Sequence, residues 1–344
     1  MLQYEAGRIW VQQIIRPRYA RTRAQQAAAE TQAAAQNAPS RAQIVQAAVP
    51  DSPFPRLKAG VSLLVYILIS KFVDHLPLYR IMGQFARQGL KIPDSTMCQW
   101  VSVAADHLLP LYKVYEKQIF RATCLQMDET TLKILEDAKG KCHLGYLWAV
   151  FDPVNKRPFF FCQKGRDHRG PKELLQSFAG TLQCDGYSVY ETLNKKLNTM
   201  QLLNCMAHIR NEYNKVLPAS KTGKAIAYAL HRWDNMSRYL TDGTLETDNN
   251  LVENIIRPAA IGRKNYLFAG SHQAAQRTAM LYTFFAACKH QGINPEAWLN
   301  DVLNRIHRFP INTIDQLLPQ NWKPEDVKPK DCPLPIKRYQ KILE

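Results

Sequence analysis

Apolar residues recur at helical spacing between residues 57 and 121. Leu57, Val61, Leu64, Val65 and Leu68 fall mainly at steps of three and four, the period of a helix with one buried face. A second stripe begins at Pro77, runs through Leu78, Ile81, Met82 and Phe85, and stops at Gly89. Pro93-Asp94-Ser95-Thr96 starts a third helix, because Asp or Ser accepts hydrogen bonds from the free N–H groups of a first turn. That helix carries Trp100, Val101 and Val103 and bends or ends at Pro110. The last two, joined through Gly89, have the form of a helix-turn-helix; a plain helical packing module is the alternative.

From residue 122 the pattern changes to strands. Residues 124–127 run into Asp128 and continue as 130–135; 144–151 and 158–162 follow, separated by the turn residues Asp152-Pro153-Val154-Asn155. Gly170 and Pro171 open a helix over 172–178, followed by strands at 181–184 and 200–205. Beyond 206 helices return at 225–239, after a cap at Asp248-Asn249-Asn250, at 274–290 and at 295–307. Periodicity alone gives an α/β protein. The order of three strands, a helix, a strand and a later strand matches a ribonuclease-H-like mixed sheet flanked by helices.

The first 20 residues are basic and aromatic (Arg8, Trp10, Arg16, Arg18, Tyr19). Residues 21–50 are rich in Ala and Gln, a fraying helix or a linker, and Pro50, Pro53 and Pro55 mark a boundary. Four segments follow from this: 1–56 as basic segment and linker, 57–121 as a helical segment for DNA binding or packing, 122–309 as the main domain, and 310–344 as a tail. The formal net charge is +16. Such a surplus repels itself in the folded state and points to a polyanion, with nucleic acid first. The longest apolar run, 61–69, is too short to span a bilayer, and the first ten residues are no signal peptide. Eight cysteines without an export signal read as reduced thiols of a cytoplasmic protein.

Asp128 (QMDETT) and Asp185 (QCDGYSVY) each close an apolar strand segment. A carboxylate there is costly unless paired, and two brought together repel. A hard divalent cation such as Mg²⁺ resolves both problems through oxygen ligands. Glu253 lies about one turn into a capped helix, with Asn250 and Arg257 on its face. Composition alone favours an ordinary helix start with an exposed Glu–Arg pair.

These motifs are joined by others in order: DHLPLYR at 74–80, STMCQWV at 95–101, GYLWAV at 145–150, CMAHIRNEY at 205–213, DNNLVENIIRPAAIGRKNYLFAGS at 248–271 and GINPEAWLNDVLNRI at 292–306. Together they resemble the insertion-sequence sixty-six type of bacterial transposase over residues 57–308. The resemblance implies a DDE catalytic domain at 122–309, with Asp128, Asp185 and Glu253 as catalytic residues and ligands of two Mg²⁺ ions, for which Mn²⁺ can substitute. It implies metal-dependent cleavage and strand transfer during transposition. The implied partners are DNA, as element ends and target, a homodimer or larger assembly on DNA, and accessory transposition proteins. The implied setting is the bacterial cytoplasm, at the nucleoid. A shortened remnant that only binds DNA, and a nuclease that cuts without joining, are the competing readings. Relatives are expected to carry more chain before residue 57 and a helical insertion between Arg210 and Ala225.

Basic side chains divide between solvated surface and phosphate contact. The DNA-binding candidates are Lys164, Arg166 and Arg169 in a basic loop, His208 and Arg210 after a strand, Arg257 beside Glu253, and Arg263 and Lys264 in a basic turn after the Glu253 helix. Cys205 and His208 have a C-x-x-H spacing, but no second pair lies at a zinc-finger distance.

Overall fold

The computed structural model describes residues 7, 9–20, 25, 44–48, 51–55, 57–136, 140–166, 169–208, 231–243 and 245–324. The chain divides into two compact units, Met1–Pro55 with Asp326–Glu344, and Arg56–Glu325. In the smaller unit β1 (Arg18–Ala20) pairs antiparallel with β2 (Ile44–Gln46), so the Ala/Gln-rich stretch contributes a strand at its end. Arg16 Nε donates to the Ala47 carbonyl at 2.9 Å, and Gln46 Nε2 donates to the Arg16 carbonyl at 2.9 Å.

The larger unit opens with four helices: α1 (Val61–Phe72), α2 (Leu78–Arg87), α3 (Asp94–His107) and α4 (Leu109–Ile119). Pro93 rather than Asp94 or Ser95 stands at the N-cap of α3, and no side chain caps that end. Gly89 takes φ 81°, a left-handed conformation that suits glycine in the turn between α2 and α3. Pro110 sits in the first turn of α4, where its missing N–H costs nothing.

A five-stranded sheet follows, made of β3 (Cys124–Glu136), β4 (Lys141–Asp152), β5 (Arg157–Gln163), β6 (Thr181–Cys184) and β7 (Gln201–Asn204), in the order β5-β4-β3-β6-β7. β3, β4 and β5 pair antiparallel; β3 with β6, and β6 with β7, pair parallel. Asp128 therefore interrupts nothing, since β3 runs unbroken from Cys124 to Glu136. The β4–β5 turn is held by buried Asp152, whose Oδ1 accepts from the N–H groups of Val154 and Asn155, while Arg157 pairs with its Oδ2 at 2.8 Å.

Helices α5 (Arg169–Leu175) and α6 (Ser188–Leu197) join the later strands. α5 begins three residues before the expected 172, and α6 is a helix that the apolar pattern does not reveal. Of the helix expected at 225–239, the described part contains α7 (Trp233–Ser237) and a 3₁₀ turn, Arg238–Leu240; the remainder lies outside the described residues. α8 (Asn250–Tyr266), α9 (His272–His290) and α10 (Pro295–Arg305) complete the unit. α9 packs on β5, and its buried Thr283 hydroxyl accepts from the N–H of Phe160, so a helix covers this sheet edge. The described chain continues through a 3₁₀ segment, Ile311–Leu317, whose Leu317 carbonyl accepts from Trp298 Nε1 at 2.9 Å. The result is a mixed α/β sheet flanked by helices, consistent with a ribonuclease-H-like fold.

Candidate active site

Strand register brings the first two acids together. The β3–β6 ladder ends at the pair Gln126 and Gln183. Two residues further along each strand stand Asp128 and Asp185, on strands about 4.8 Å apart. Asp185 has just left β6. Its Oδ1 accepts from the Tyr187 N–H at 3.0 Å, and its carbonyl accepts from Asn204 Nδ2 at 3.4 Å. The next carbonyl, of Gly186, accepts from the Arg232 guanidinium at 3.0 Å.

The two glutamines below the acids hold the third one in range. Gln126 Nε2 donates to Gln183 Oε1 at 2.7 Å and to the Asp248 carbonyl at 3.0 Å, and Gln126 Oε1 accepts from the Val252 N–H at 3.2 Å. Gln183 Nε2 donates to Tyr239 Oη and the Glu246 carbonyl. Both side chains are buried. They fasten the start of α8 to the first part of β3 and to the end of β6, and Glu253 is the residue after Val252. Asn249 stands at the N-cap and its side chain does not cap the helix; one residue earlier, Asp248 Oδ1 accepts from the Asn250 N–H at 3.0 Å.

Burial pushes the Asp128 carboxyl up to about 7, assisted by the nearby charges of Glu129, Asp185 and Glu253, while the Glu129 N–H, at 2.8 Å, works against this. Glu253 Oε1 lies 3.9 Å from His208 Nε2. The Cys205 side chain does most to raise His208, to about 9, with Asp185 and Glu253 adding to it against the effect of burial. Nδ1 of His208 is buried without a hydrogen bond of regular geometry. The acids thus share one electrostatic neighbourhood. Among the described residues, no group of three or more His, Cys, Asp and Glu is arranged to hold a metal ion as it stands.

Glu129 faces the other way from Asp128 and anchors the basic loop. Its Oε1 accepts from Arg166 Nε at 2.7 Å, its Oε2 accepts from Tyr190 Oη at 3.2 Å, and its side chain is 3% exposed. Arg166 stacks over the Tyr187 ring at 3.8 Å, and Tyr187 Oη donates back to the Arg166 carbonyl. Arg166 is therefore engaged in neutralising a buried acid beside the Asp185 turn. The pair is asymmetric, because Arg166 is 42% exposed. Arg166→Ala strands the buried carboxylate and is expected to lower stability by roughly 1–3 kcal/mol at pH 7. Adding Glu129→Gln should recover much of that loss in thermal melts; a double variant no more stable than Arg166→Ala contradicts the pairing.

The remaining basic candidates are placed as follows. Arg263 and Lys264 belong to the last turn of α8 rather than to a turn after it. Arg263 donates to Thr130 Oγ1 at 2.7 Å and to the Thr131 carbonyl at 2.8 Å, which docks α8 on β3. Lys164, Arg257 and Lys264 are exposed. Arg210 and the Arg169 side chain lie outside the described residues. Gln126, Gln183, Glu129, Tyr187 and Tyr190 are site-building residues that the apolar pattern does not single out. The motif Q-x-D, present in both strands, is the signal that marks the glutamines.

Sheet order, helices and adjoining aspartates define a ribonuclease-H-like α/β protein. Residues 56–216 and 209–277 match the family described as "Transposase IS66 family", and residues 283–320 match the "IS66 C-terminal element". The chain belongs to the IS66 transposase family. Two similar chains of Sinorhizobium fredii (strain NBRC 101917 / NGR234) carry the names uncharacterized protein y4qI and uncharacterized protein y4jD. The first is 31% identical over 77% of this chain and 63% of its own length. The second is 29% identical over 83% of this chain and 70% of its own length. This chain thus spans about two thirds of these relatives. The alignment with y4qI has 341 positions yet covers only 77% of the chain, so y4qI has residues within the aligned span that this chain lacks. The family match comes in two pieces that overlap at 209–216, at the start of the stretch where an insertion is expected.

Proposed function

We propose that this chain is a DNA transposase that cuts and joins DNA at Asp128, Asp185 and Glu253. The observation that carries the reading is the strand register that sets Asp128 beside Asp185, with α8 bolted to the same two strands. The donor set suits divalent cations: Asp128 is held up to about 7 among like charges, a condition that a bound cation relieves. Asp128, Asp185 and Glu253 would hold two Mg²⁺ ions, or Mn²⁺ in their place, after the side chains adjust. When bound, such ions stabilise the attacking and leaving oxygens of an in-line phosphoryl displacement.

The chain's own residues supply the rest. Gln126 and Gln183 fix the approach of Glu253. His208 holds positive charge beside Glu253 and, with Lys164, Arg169, Arg210, Arg257 and Lys264, attracts the phosphate backbone. Arg166 and Arg263 chiefly shape the site through Glu129 and β3. Water is the nucleophile for cleavage, and the freed 3′-OH is the nucleophile for joining. The partners are element ends and target DNA, with a homodimer or larger assembly holding two ends and accessory proteins assisting. The bacterial nucleoid is the setting; no described helix is long and apolar enough to cross a membrane.

Purified full-length chain mixed with labelled duplex tests this reading. Mg²⁺- or Mn²⁺-dependent nicks followed by joined products support it. Nicks without joining favour a nuclease. Binding without nicks favours a DNA-binding remnant, a reading to which the two-piece family match at 209–216 lends weight. Salt offers a second check. Each neutralised phosphate lowers log K by about 0.9 per log unit of salt, so a contact of five or more phosphates predicts a slope of about −4.5 or steeper. A flat response measured by fluorescence anisotropy contradicts a phosphate-dominated interface.

A further inference from the structure

Helix α8 ends in a strained turn. The N–H of Phe268 bonds to the Tyr266 carbonyl two residues back, and Leu267 between them has φ 49° and ψ −43°. This positive-φ γ-turn strains any residue with a Cβ, and glycine adopts it freely. Leucine occupies it here, followed by phenylalanine, and both stand in solvent: Leu267 is 65% and Phe268 44% exposed. The turn is nonetheless fixed. The Ala269 N–H donates to the Lys133 carbonyl and its carbonyl accepts from the Leu135 N–H, each at 2.8 Å. Rigidly held backbone strain beneath exposed apolar side chains is a pattern of functional surfaces.

The surroundings indicate the occupant. Asn250, Asn254, Arg257, Ile261 and Lys264 form one exposed stripe at steps of four and three along α8, starting beside Glu253, and the exposed Leu267 and Phe268 follow the helix end. Residues 254–295 contain no Asp or Glu. Exposed Lys133 lies on the strand that holds the turn, and His272 feels the charges of Lys164 and His143. A basic ridge with an apolar tip, free of acids over residues 254–295 although Glu136 follows Leu135 on β3, complements a polyanion that also has flat apolar faces, which is duplex DNA. β3 sets the scale. Lys133 and Leu135 lie five and seven residues beyond Asp128, which is about 17–24 Å at about 3.4 Å per residue. That is the length of about five to seven base pairs.

We propose that Leu267 and Phe268 form an apolar wedge that stacks on, and partly unstacks, the bases of a duplex about five to seven base pairs from the phosphate held at the acids. This rests on the DNA-processing reading above. The test uses full-length chain with Ca²⁺ in place of Mg²⁺ and 30-base-pair duplexes carrying 2-aminopurine at spaced positions, and reads fluorescence at saturating protein alongside anisotropy. The intact chain is expected to raise the fluorescence. Leu267→Gly, which relieves the backbone strain and keeps the fold, should lose part of the rise, and Phe268→Ser most of it. Loss of base stacking should also weaken binding by about 5- to 100-fold. Anisotropy that reports binding with no fluorescence rise, or a rise unchanged in both variants, overturns the wedge and leaves the DNA-processing reading standing. No DNA binding by the intact chain overturns both.

Discussion

Asp128→Asn is expected to abolish metal-dependent cleavage while making the metal-free protein more stable at neutral pH. On the proposed reading, the first effect follows from losing a ligand for ions whose charge stabilisation is worth several kcal/mol in the transition state, a loss of about three orders of magnitude or more in rate. The second follows from the site's unrelieved charge. Burial among like charges raises the folded-state carboxyl from 3.8 to about 7. A raised acid contributes stability that is complete below its unfolded value and lost as pH climbs through the folded value. In EDTA the wild-type chain should therefore lose stability between about pH 4 and 7 through this group. Asparagine carries no charge to bury. After allowing for partial exposure, its advantage at pH 8 is on the order of 1–4 kcal/mol, or several degrees in thermal midpoint. That gap should close as pH falls toward 4. A variant less stable than wild type at pH 8 in EDTA contradicts the electrostatic picture.

Gln126→Leu is expected to damage both stability and catalysis while sparing DNA affinity. Leucine has nearly the right volume but removes two donated bonds and one accepted bond. Gln183 Oε1, the Asp248 carbonyl and the Val252 N–H then lose a partner in a buried setting. Leaving such groups unsatisfied costs roughly 2–5 kcal/mol in total. The same bonds hold α8 to the two strands, so Glu253 loses its registration with Asp128, and cleavage should fall further than the folded fraction does. Gln183→Leu should behave alike, since Gln183 receives one of these bonds and makes two more. Basic residues elsewhere on the surface keep the DNA dissociation constant within a few fold. A variant that is destabilised yet cleaves normally once folded gives the glutamines a purely structural role.

Much of the fold was legible because long apolar segments report their own period. α2, α3, β3, β4, β5, β6 and α9 stand close to where the spacing of apolar residues sets them. α6 was not legible. Its sequence, SVYETLNKKL, has only three large apolar residues besides Val189, and contact with the sheet decides its conformation more than propensity does. β2 was hidden because three residues in an Ala/Gln-rich stretch show no alternation, and pairing with β1 across the chain makes the strand.

The site was legible unevenly. Asp128 and Asp185 stood out as charges closing apolar segments, although β3 runs on past Asp128, and Glu253 only through the resemblance of its motif. Arg166 and Arg263 looked like free surface cations, because sequence cannot show that Glu129 and the Thr130–Thr131 backbone lie against them. Gln126 and Gln183 were the more telling omission. A polar side chain inside an otherwise apolar strand, repeated two residues before each aspartate, is a pattern that a buried hydrogen-bond network requires.

Anomalous diffraction from crystals of the full-length chain grown with Mn²⁺ tests the three-acid site most directly. The account predicts two peaks roughly 3.5–4 Å apart, ligated by Asp128, Asp185 and Glu253. Manganese bound elsewhere, or no peak touching both Asp128 and Asp185, would contradict it.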